Sequence, residues 1–306
     1  MNAACDAIRK TLCFHRAWRY APTLPELFST LETTTPISEQ DFSAALRGLE
    51  NEGWVRQGRG RVGLAENFDE IVAEIARRDA LQAAKRRRAR RFAFWLKFLG
   101  ARFVALSNTT ALGNARRDGD LDFFVVVRRG ALWSTRFLSA GLFRLLGLLP
   151  SQKHARDTAC LSYFVTDDAL DLSAHLLAPD DPYFRHWFLS LLPLYDDGVS
   201  QDLWRANPKI TSRHAMARPW IAPPDLRLAF GYRLPSGRMA CAPTLYRLLE
   251  SPSRAFQLRW FPPGIKQLMN RDTRVVVNEQ TLKLHVNDRR EEYRRAYEAL
   301  ISKVTL

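Results

Sequence analysis

Two aspartates separated by one residue, Asp120 and Asp122, are the residues of this sequence whose type and spacing best suit metal chemistry. They stand at the start of LDFFVVV, a strongly β-favouring segment, and side chains two apart in a strand share one face. Both carboxylates should therefore project to one side, about 6 to 7 Å apart, where they repel each other unless a cation neutralises them. Mg²⁺ commonly takes one or two carboxylates together with substrate phosphates. The pair predicts a site for Mg²⁺ or Mn²⁺; the alternative is an Asp-x-Asp that merely joins a loop to a strand.

The context of the pair is the segment ARFVALSNTTALGNARRDGDLDFFVVVRR, residues 101–129. Apolar runs at 103–106 and 121–127 predict two strands, and the loop between them is rich in Ser, Asn, Thr and Gly. This layout resembles the nucleotidyltransferase superfamily, whose polymerase-β-like signature is a strand, a Gly-Ser at a helix start and then an Asp-x-Asp strand. It is more closely similar to a bacterial subgroup with an Ala-x-x-Asn-Ala segment after the Gly-Ser, matched here by Ala111, Asn114 and Ala115.

The resemblance implies an α+β fold with a mixed sheet and flanking helices in residues 100–206. It implies that Asp120 and Asp122 are catalytic metal ligands, and that Asn108 and Thr109 contact the phosphates of a nucleoside triphosphate. These two residues stand where the family has Gly-Ser. Asn tolerates the left-handed backbone better than other non-glycine residues, and Thr keeps a hydroxyl, so the loop can retain its form.

Active members of the superfamily usually supply a third carboxylate from a later strand. The best later strand is ACLSYFV at 159–165, and its middle offers Ser162 instead. Four nearby aspartates are interpreted as turn or cap residues: Asp157, Asp167, Asp168 and Asp171. Two hypotheses follow. The chain is a metal-dependent nucleotidyltransferase acting on an unknown acceptor, or a catalytically degenerate form of that fold that binds nucleic acid or regulates.

Residues 1–66 predict three short helices and a small hairpin, the order of a winged helix, which the bacterial subgroup also carries. Thr23 and Glu26 form a capping box for the second helix, and Ser38 caps the third. In a winged helix the third helix enters the major groove and the hairpin contacts phosphates. The predicted nucleic-acid contacts of the hairpin are Arg56, Arg59 and Arg61. The third helix is mostly acidic on its exposed side, so a winged helix used for packing or protein contact is the alternative.

Residues 67–99 predict a long helix that begins acidic and ends strongly basic, which suits the helix dipole. Lys85, Arg86 and Arg87 belong to its basic cluster and are predicted to contact nucleic-acid phosphates, with a solvated face as the alternative. The region 184–204 predicts a helix broken at Pro193. Residues 207–306 predict an irregular connection to residue 243, followed by a mostly helical C-terminal region that also holds a strand-like segment near 274–277.

Composition limits the class of protein. The 306 residues include 46 Lys and Arg against 32 Asp and Glu, a formal charge of +14 that attracts polyanions such as nucleic acid. The four cysteines are scattered without CxxC spacing, so reduced thiols and a cytoplasmic location are expected. The longest apolar stretch, 131–150, is interrupted by arginines, which predicts no membrane span.

Overall fold

The computed structural model describes residues 3–150, 156–221, 226, 228 and 241–304, and its architecture is mixed α+β. The helices of this part are α1 (Ala3–Ala17), α2 (Leu24–Ser29), α3 (Glu39–Asn51), α4 (Phe68–Phe98), α5 (Asn108–Ala111), α6 (Leu132–Leu145), α7 (Pro182–Leu189), α8 (Ser200–Arg205), α9 (Pro208–Thr211), α10 (Cys241–Trp260), α11 (Pro263–Leu268) and α12 (Arg290–Val304). The strands are β1 (Val55–Gly58), β2 (Arg61–Leu64), β3 (Ala101–Leu106), β4 (Leu121–Val127), β5 (Ala159–Thr166), β6 (Leu192–Asp196), β7 (Val275–Val277) and β8 (Thr281–Leu284).

A six-stranded sheet in the order β6-β3-β4-β5-β8-β7 carries the body of the molecule. β4 and β5 are parallel, and the other neighbouring pairs are antiparallel. The strands predicted at 103–106, 121–127 and 161–165 lie together in this mixed sheet, so the predicted mixed sheet is confirmed. Because β4 and β5 run in the same direction, both begin at the same edge of the sheet.

Helices cover both faces of the sheet, and the alternation along each strand decides which side chain faces which layer. On one face, Phe123 and Val125 pack in one buried cluster with Phe92 of α4 and Phe143 of α6. On the other face, Phe124 and Val126 belong to a second cluster, with Trp187 and Phe188 of α7. Asp122 precedes Phe124 by two residues, so it lies on the α7 side of β4.

The N-terminal residues form three helices followed by the antiparallel hairpin β1–β2, as predicted. Thr23 and Glu26 make the predicted capping box, and the Ser38 side chain accepts a hydrogen bond from the Asp41 N–H at the start of α3. Arg59 turns the hairpin with a φ of 52°. α12 packs against α1, which ties the N-terminal helices to the C-terminal end of the chain.

The predicted helix broken at Pro193 is wrong. α7 ends at Leu189, and Pro193 lies inside strand β6. β6 is an edge strand of the sheet, where a residue without a backbone N–H is tolerated because one side of the strand needs no ladder hydrogen bonds.

The C-terminal region is helical in α10, α11 and α12, and it also adds β7 and β8 to the central sheet. The strand predicted near 274–277 is β7, whose three residues pair with β8. Much of the irregular connection predicted up to residue 243 lies outside the described residues. Among the helices that are described, none combines the length and apolarity needed to cross a membrane.

Candidate functional site

The acidic pair lies at the sheet edge where β4 and β5 begin, and a cysteine joins it there. Asp120 precedes β4, Asp122 is its second residue, and Cys160 is the second residue of β5. Asp122 and Cys160 are register partners in the parallel β4–β5 ladder. One ligand atom from each of Asp120, Asp122 and Cys160 lies within 4.8 Å of the others, and all three residues are half-buried. We call this group the acidic site.

A register shift brings Cys160 into the acidic site. From Asp122 to Phe124 β4 advances by two residues, while β5 advances by three, from Cys160 to Tyr163. Extra residues of this kind are common beside functional sites, because they redirect side chains. The Cys160 Sγ lies 3.3 Å from the Ser162 Oγ, which lies 2.9 Å from His285 Nε2.

The resemblance implies a third carboxylate on a later strand, and the middle of β5 offers Ser162 at that place in the sequence. Cys160, not Ser162, is opposite Asp122, and Ser162 lies further along β5 in contact with His285. Cys160 is the functional candidate that sequence reasoning missed. No sequence signal could have found it, because strand register depends on the neighbouring strand.

Three of the four nearby aspartates lie at the opposite end of β5 and have local partners. Asp167 pairs with Arg102 at 2.7 Å, Asp168 accepts from the Thr166 hydroxyl at 2.6 Å, and the Asp171 carboxylate accepts from the Ser173 N–H at 2.8 Å. Asp157, at the near end, pairs with Lys85 at 2.8 Å. Asp171 has the turn role that was expected, whereas Asp157 and Asp167 form ion pairs.

Burial and mutual repulsion disfavour negative charge at the acidic site. Burial, followed by the charge of Asp120, raises the pKa of Asp122 to about 6. Burial also raises the pKa of Asp120, against the opposing attraction of Lys85. The pKa of the Cys160 thiol is raised well above its ordinary value, first by burial and then by the two carboxylates. A bound cation would reverse each of these effects, since it favours the charged form of every donor.

The loop after β3 brings Asn108 to the acidic site. Asn108 begins α5 with a φ of 57°, in the left-handed region that glycine favours. Its side chain donates a hydrogen bond to the Asp122 carboxylate and accepts one from the Tyr183 hydroxyl at 3.2 Å. The Thr109 carbonyl accepts from the Asn114 N–H at 2.8 Å and so closes the turn. Asn108 therefore adopts the left-handed backbone conformation that asparagine was expected to tolerate.

Side chains of α4 hold this loop against the body of the protein. Gln82 accepts from the Ala115 N–H at 3.1 Å and donates to the Thr110 carbonyl. Lys85 donates to the Gly119 carbonyl, next to Asp120. Because each partner is a backbone group, these contacts fix the path of the loop rather than one side chain of it.

Two of the three α4 residues predicted to contact nucleic acid serve this internal purpose. Lys85 is 2% exposed and paired with Asp157, so its assignment to a phosphate-binding surface is corrected. Arg86 is half-buried and donates to the Ala111 carbonyl at 3.0 Å. Arg87 is exposed. The helix has basic residues around most of its circumference, so its packing decided which of them reached solvent.

The hairpin arginines also differ from one another. Arg56 pairs with Asp69 at 2.6 Å, and both side chains are exposed. Arg61 donates to the Tyr20 hydroxyl at 2.9 Å and to the Ala21 carbonyl at 3.0 Å. Arg59 is exposed at the turn. Of the six residues predicted to contact nucleic acid, Lys85, Arg86 and Arg61 are bonded within the protein, Arg56 pairs with Asp69, and Arg59 and Arg87 are exposed.

In comparisons with known proteins, no family model matches this sequence, and no curated protein or solved structure is significantly similar to it. The chemistry of the acidic site must therefore be inferred from its own residues.

Proposed function

We propose that this chain is a metal-dependent nucleotidyltransferase that moves a nucleotidyl group from a nucleoside triphosphate to an acceptor hydroxyl or phosphate. The observation that carries the proposal is the convergence of Asp120, Asp122 and Cys160 within 4.8 Å, beside a helical turn that starts with a left-handed Asn108. The resemblance to the nucleotidyltransferase superfamily implies that residues of this turn contact phosphates and that the two carboxylates bind metal.

The donor set fits a divalent cation. The pKa values of both carboxylates are raised, first by burial, and that of Asp122 also by the charge of Asp120. The described side chains around the pair therefore do not neutralise it. Asp120 and Asp122 would hold Mg²⁺ or Mn²⁺, with the Cys160 sulfur as a third neighbour. Such a cation neutralises phosphate charge and stabilises the developing charge of the leaving group.

The protein's own residues would position the substrate. Asn108 and Thr109 open α5 at the acidic site, and the Asn108 amide holds the Asp122 carboxylate by a hydrogen bond. Tyr183 holds the other end of the Asn108 amide, so the side chain has a defined orientation. A loop held in this way needs little rearrangement when phosphates bind, which favours transfer over loose binding.

A second candidate function is a catalytically degenerate form of the same fold that binds nucleic acid. One observation favours it: Cys160, a thiol whose pKa is raised, stands on β5 opposite Asp122, where an active enzyme of this type would use a carboxylate. The two candidates share the metal site and differ in whether a group is transferred.

The test replaces both carboxylates, Asp120→Asn with Asp122→Asn, and follows thermal unfolding with and without Mn²⁺ or Mg²⁺. Wild-type protein should gain about 2.7 kcal/mol of stability when the cation is present at about 100 times its Kd. The double variant should lose that gain. A matched control, Asp6→Asn with Asp202→Asn, removes two surface carboxylates paired only within α1 and α8, and should keep it.

The same proteins are then incubated with α-labelled triphosphates and a panel of RNA, DNA and protein acceptors. Label transfer by wild-type protein and the control, but not by the double variant, supports the enzyme. Cation stabilisation without transfer favours the degenerate form. A wild-type chain that binds neither cation nor triphosphate overturns the site assignment.

A further inference from the structure

A cavity of about 480 Å³ opens on the side of α4 that faces the loop before β4. Five of its six lining residues are arginines, Arg77, Arg78, Arg116, Arg117 and Arg156, and the sixth is Leu81. We call it the arginine cavity. A cavity of this size is comparable with the small-molecule sites of proteins and is larger than a single phosphate requires.

Three separate segments build the arginine cavity. α4 supplies Arg77 and Arg78, the loop that leads into Asp120 supplies Arg116 and Arg117, and the segment before β5 supplies Arg156. The last two segments are joined by a hydrogen bond from the Asp157 N–H to the Gly119 carbonyl at 3.2 Å. Because these segments continue directly into β4 and β5, the cavity and the acidic site lie along the same two segments.

The carboxylates at the cavity do not balance its cations. Arg78 donates to Glu74 and to the Asn114 side chain, and Arg156 lies 3.4 Å from Asp157. Asp157 is already the partner of buried Lys85. The remaining arginines, Arg77, Arg116 and Arg117, are exposed. Clustered like charges cost free energy, and an anionic ligand offsets that cost.

We propose that the arginine cavity binds the phosphate backbone of a nucleic-acid strand and leads its end toward the acidic site. Guanidinium forks recognise phosphate oxygens bidentately, and cations spread over three segments suit several phosphates rather than one. The formal charge of +14 favours the same polyanion. The role of the strand as acceptor rests on the proposed nucleotidyl transfer, whereas binding of the backbone does not.

A free nucleoside triphosphate suits the arginine cavity less well. The phosphates of the triphosphate are assigned to Asn108 and Thr109, whose helical turn contacts the acidic site directly through the Asn108 amide. The cavity arginines come instead from α4 and from segments just before the strands. A second set of phosphate contacts, apart from the first, is what an enzyme with a nucleic-acid acceptor requires.

The experiment measures binding of fluorescent single-stranded RNA and DNA of about 20 nucleotides in EDTA, at salt from about 50 to 200 mM. The test variant is Arg77→Gln with Arg116→Gln and Arg117→Gln. The matched control, Arg128→Gln with Arg144→Gln and Arg271→Gln, removes the same charge from exposed arginines that do not line the cavity. Circular dichroism and thermal unfolding confirm that each variant is folded, and Arg117→Glu alone serves if the triple variant is not.

The test variant should weaken strand binding at least tenfold at the lowest salt, and its salt dependence should become shallower by about 2 in log–log slope, since each lost phosphate contact on a single strand accounts for about 0.7. The control should change affinity by less than about threefold, as expected for screened, distant charges. Equal losses in the two variants would mean diffuse attraction and overturn the proposal. Displacement of the strand by sodium triphosphate at equal phosphate concentration would overturn the assignment to a strand.

The outcome is separable from that of the proposed function. Asp120→Asn with Asp122→Asn should bind the strands in EDTA at least as tightly as wild-type protein, because it removes negative charge near the path of the backbone. If the protein binds strands through the cavity but transfers no label, the proposed strand binding is supported and the proposed enzymatic activity is contradicted. If the protein transfers label but binds no strand, the proposed enzymatic activity is supported and the proposed strand binding is contradicted.

Discussion

Two stretches of α4, alike in composition and about two turns apart, are used in opposite ways. Arg77 and Arg78 line an open cavity with other arginines. Lys85 is 2% exposed and bonded to Asp157 and the Gly119 carbonyl, and Arg86 is half-buried and bonded to a loop carbonyl. The first stretch shares its cavity with cations from two other segments, and Glu74 pairs with Arg78. The second stretch is bonded to an anion and to carbonyl oxygens.

The surroundings of a cation, more than its place in a basic run, therefore indicate a binding site. A buried Lys with an anionic partner is already compensated, so it contributes to the fold. An arginine whose neighbours are arginines gains from an added anion. The densest basic run of the sequence lies at 85–91. The arginines that line one common cavity are instead Arg77, Arg78, Arg116, Arg117 and Arg156.

The largest expected effect concerns three buried histidines, for which the cost of burying a charged ring outweighs the nearby negative charge, such as that of Glu32 at His214. His15, His186 and His214 lie in contact, with ring centroids 5.6 Å apart for the first two and 5.0 Å for the last two. Burial is the main cause that lowers the pKa of His15 to about 3 and that of His214 to about 4, and it lowers the pKa of His186 strongly. Unlike Lys85, these rings are stable in the fold only while neutral.

Acid should therefore unfold the protein from pH 6.5 downward. An unfolded histidine takes up a proton near pH 6.5, whereas the buried ring does not until about pH 4 or below, so stability is present above 6.5 and is lost as pH falls. Each such ring contributes about 1.4 kcal/mol per pH unit, and the three together up to about 4. Urea unfolding at pH 6.5, 5.75 and 5.0 measures the slope.

The matched variant for this prediction is His15→Gln, which removes one titrating ring and should reduce the slope by about 1.4 kcal/mol per pH unit. An unfolding free energy that stays flat over this range, in wild-type protein, would show that the rings are charged and compensated in the folded state.

The next effect separates the two stretches of α4 directly. Lys85→Met should lower the free energy of unfolding by about 3 kcal/mol, because it leaves the Asp157 carboxylate without its buried partner. Arg87→Met, on the exposed side of the same helix, should change it by less than about 0.5 kcal/mol. Urea unfolding at neutral pH measures both.

A second change checks the cause. Asp157→Asn, added to Lys85→Met, should restore part of the lost stability, since it removes a carboxylate that then keeps the partly exposed Arg156 as its ion-pair partner. Equal free energies of unfolding for Lys85→Met and Arg87→Met would show that the buried contacts of α4 do not stabilise the loop before Asp120. The proposed difference between the two stretches of α4 would then be wrong.

The smallest effect is expected at the hairpin. Arg56→Ala with Arg59→Ala and Arg61→Ala should flatten the salt dependence of nucleic-acid binding, but by about 1 or less in log–log slope, below the change from the cavity variant. The reason is that Arg56 and Arg61 must first leave Asp69 and Tyr20. Titration with labelled duplex and single-stranded DNA measures the slopes.

If the salt slope of nucleic-acid binding fell more in the hairpin variant than in the cavity variant, the hairpin would be the main contact with nucleic acid. If that change were confined to duplex DNA, the hairpin would act as the wing of a winged helix, and the arginine cavity would be a lesser contact.

Local patterns were enough to predict much of this chain. Three features depend on residues a few positions apart: the capping box at Thr23 and Glu26, the cap at Ser38, and the change from acidic to basic residues along α4. The same holds for β4, because period-two spacing and β-branched content are readable in seven residues. The aspartate pair was predicted together because Asp120 directly precedes that strand and Asp122 is its second residue.

Contacts between distant segments determine which residues complete the sites. Cys160 meets Asp122 through a register shift between two strands, and Pro193 is accommodated because β6 is an edge. Lys85 turned inward while Arg77 stayed at the cavity, although a basic run looks the same on every side of a helix. Arg116 and Arg156 meet across a hydrogen bond between their segments. Contacts between distant segments depend on register and packing, which the sequence specifies only through the whole fold.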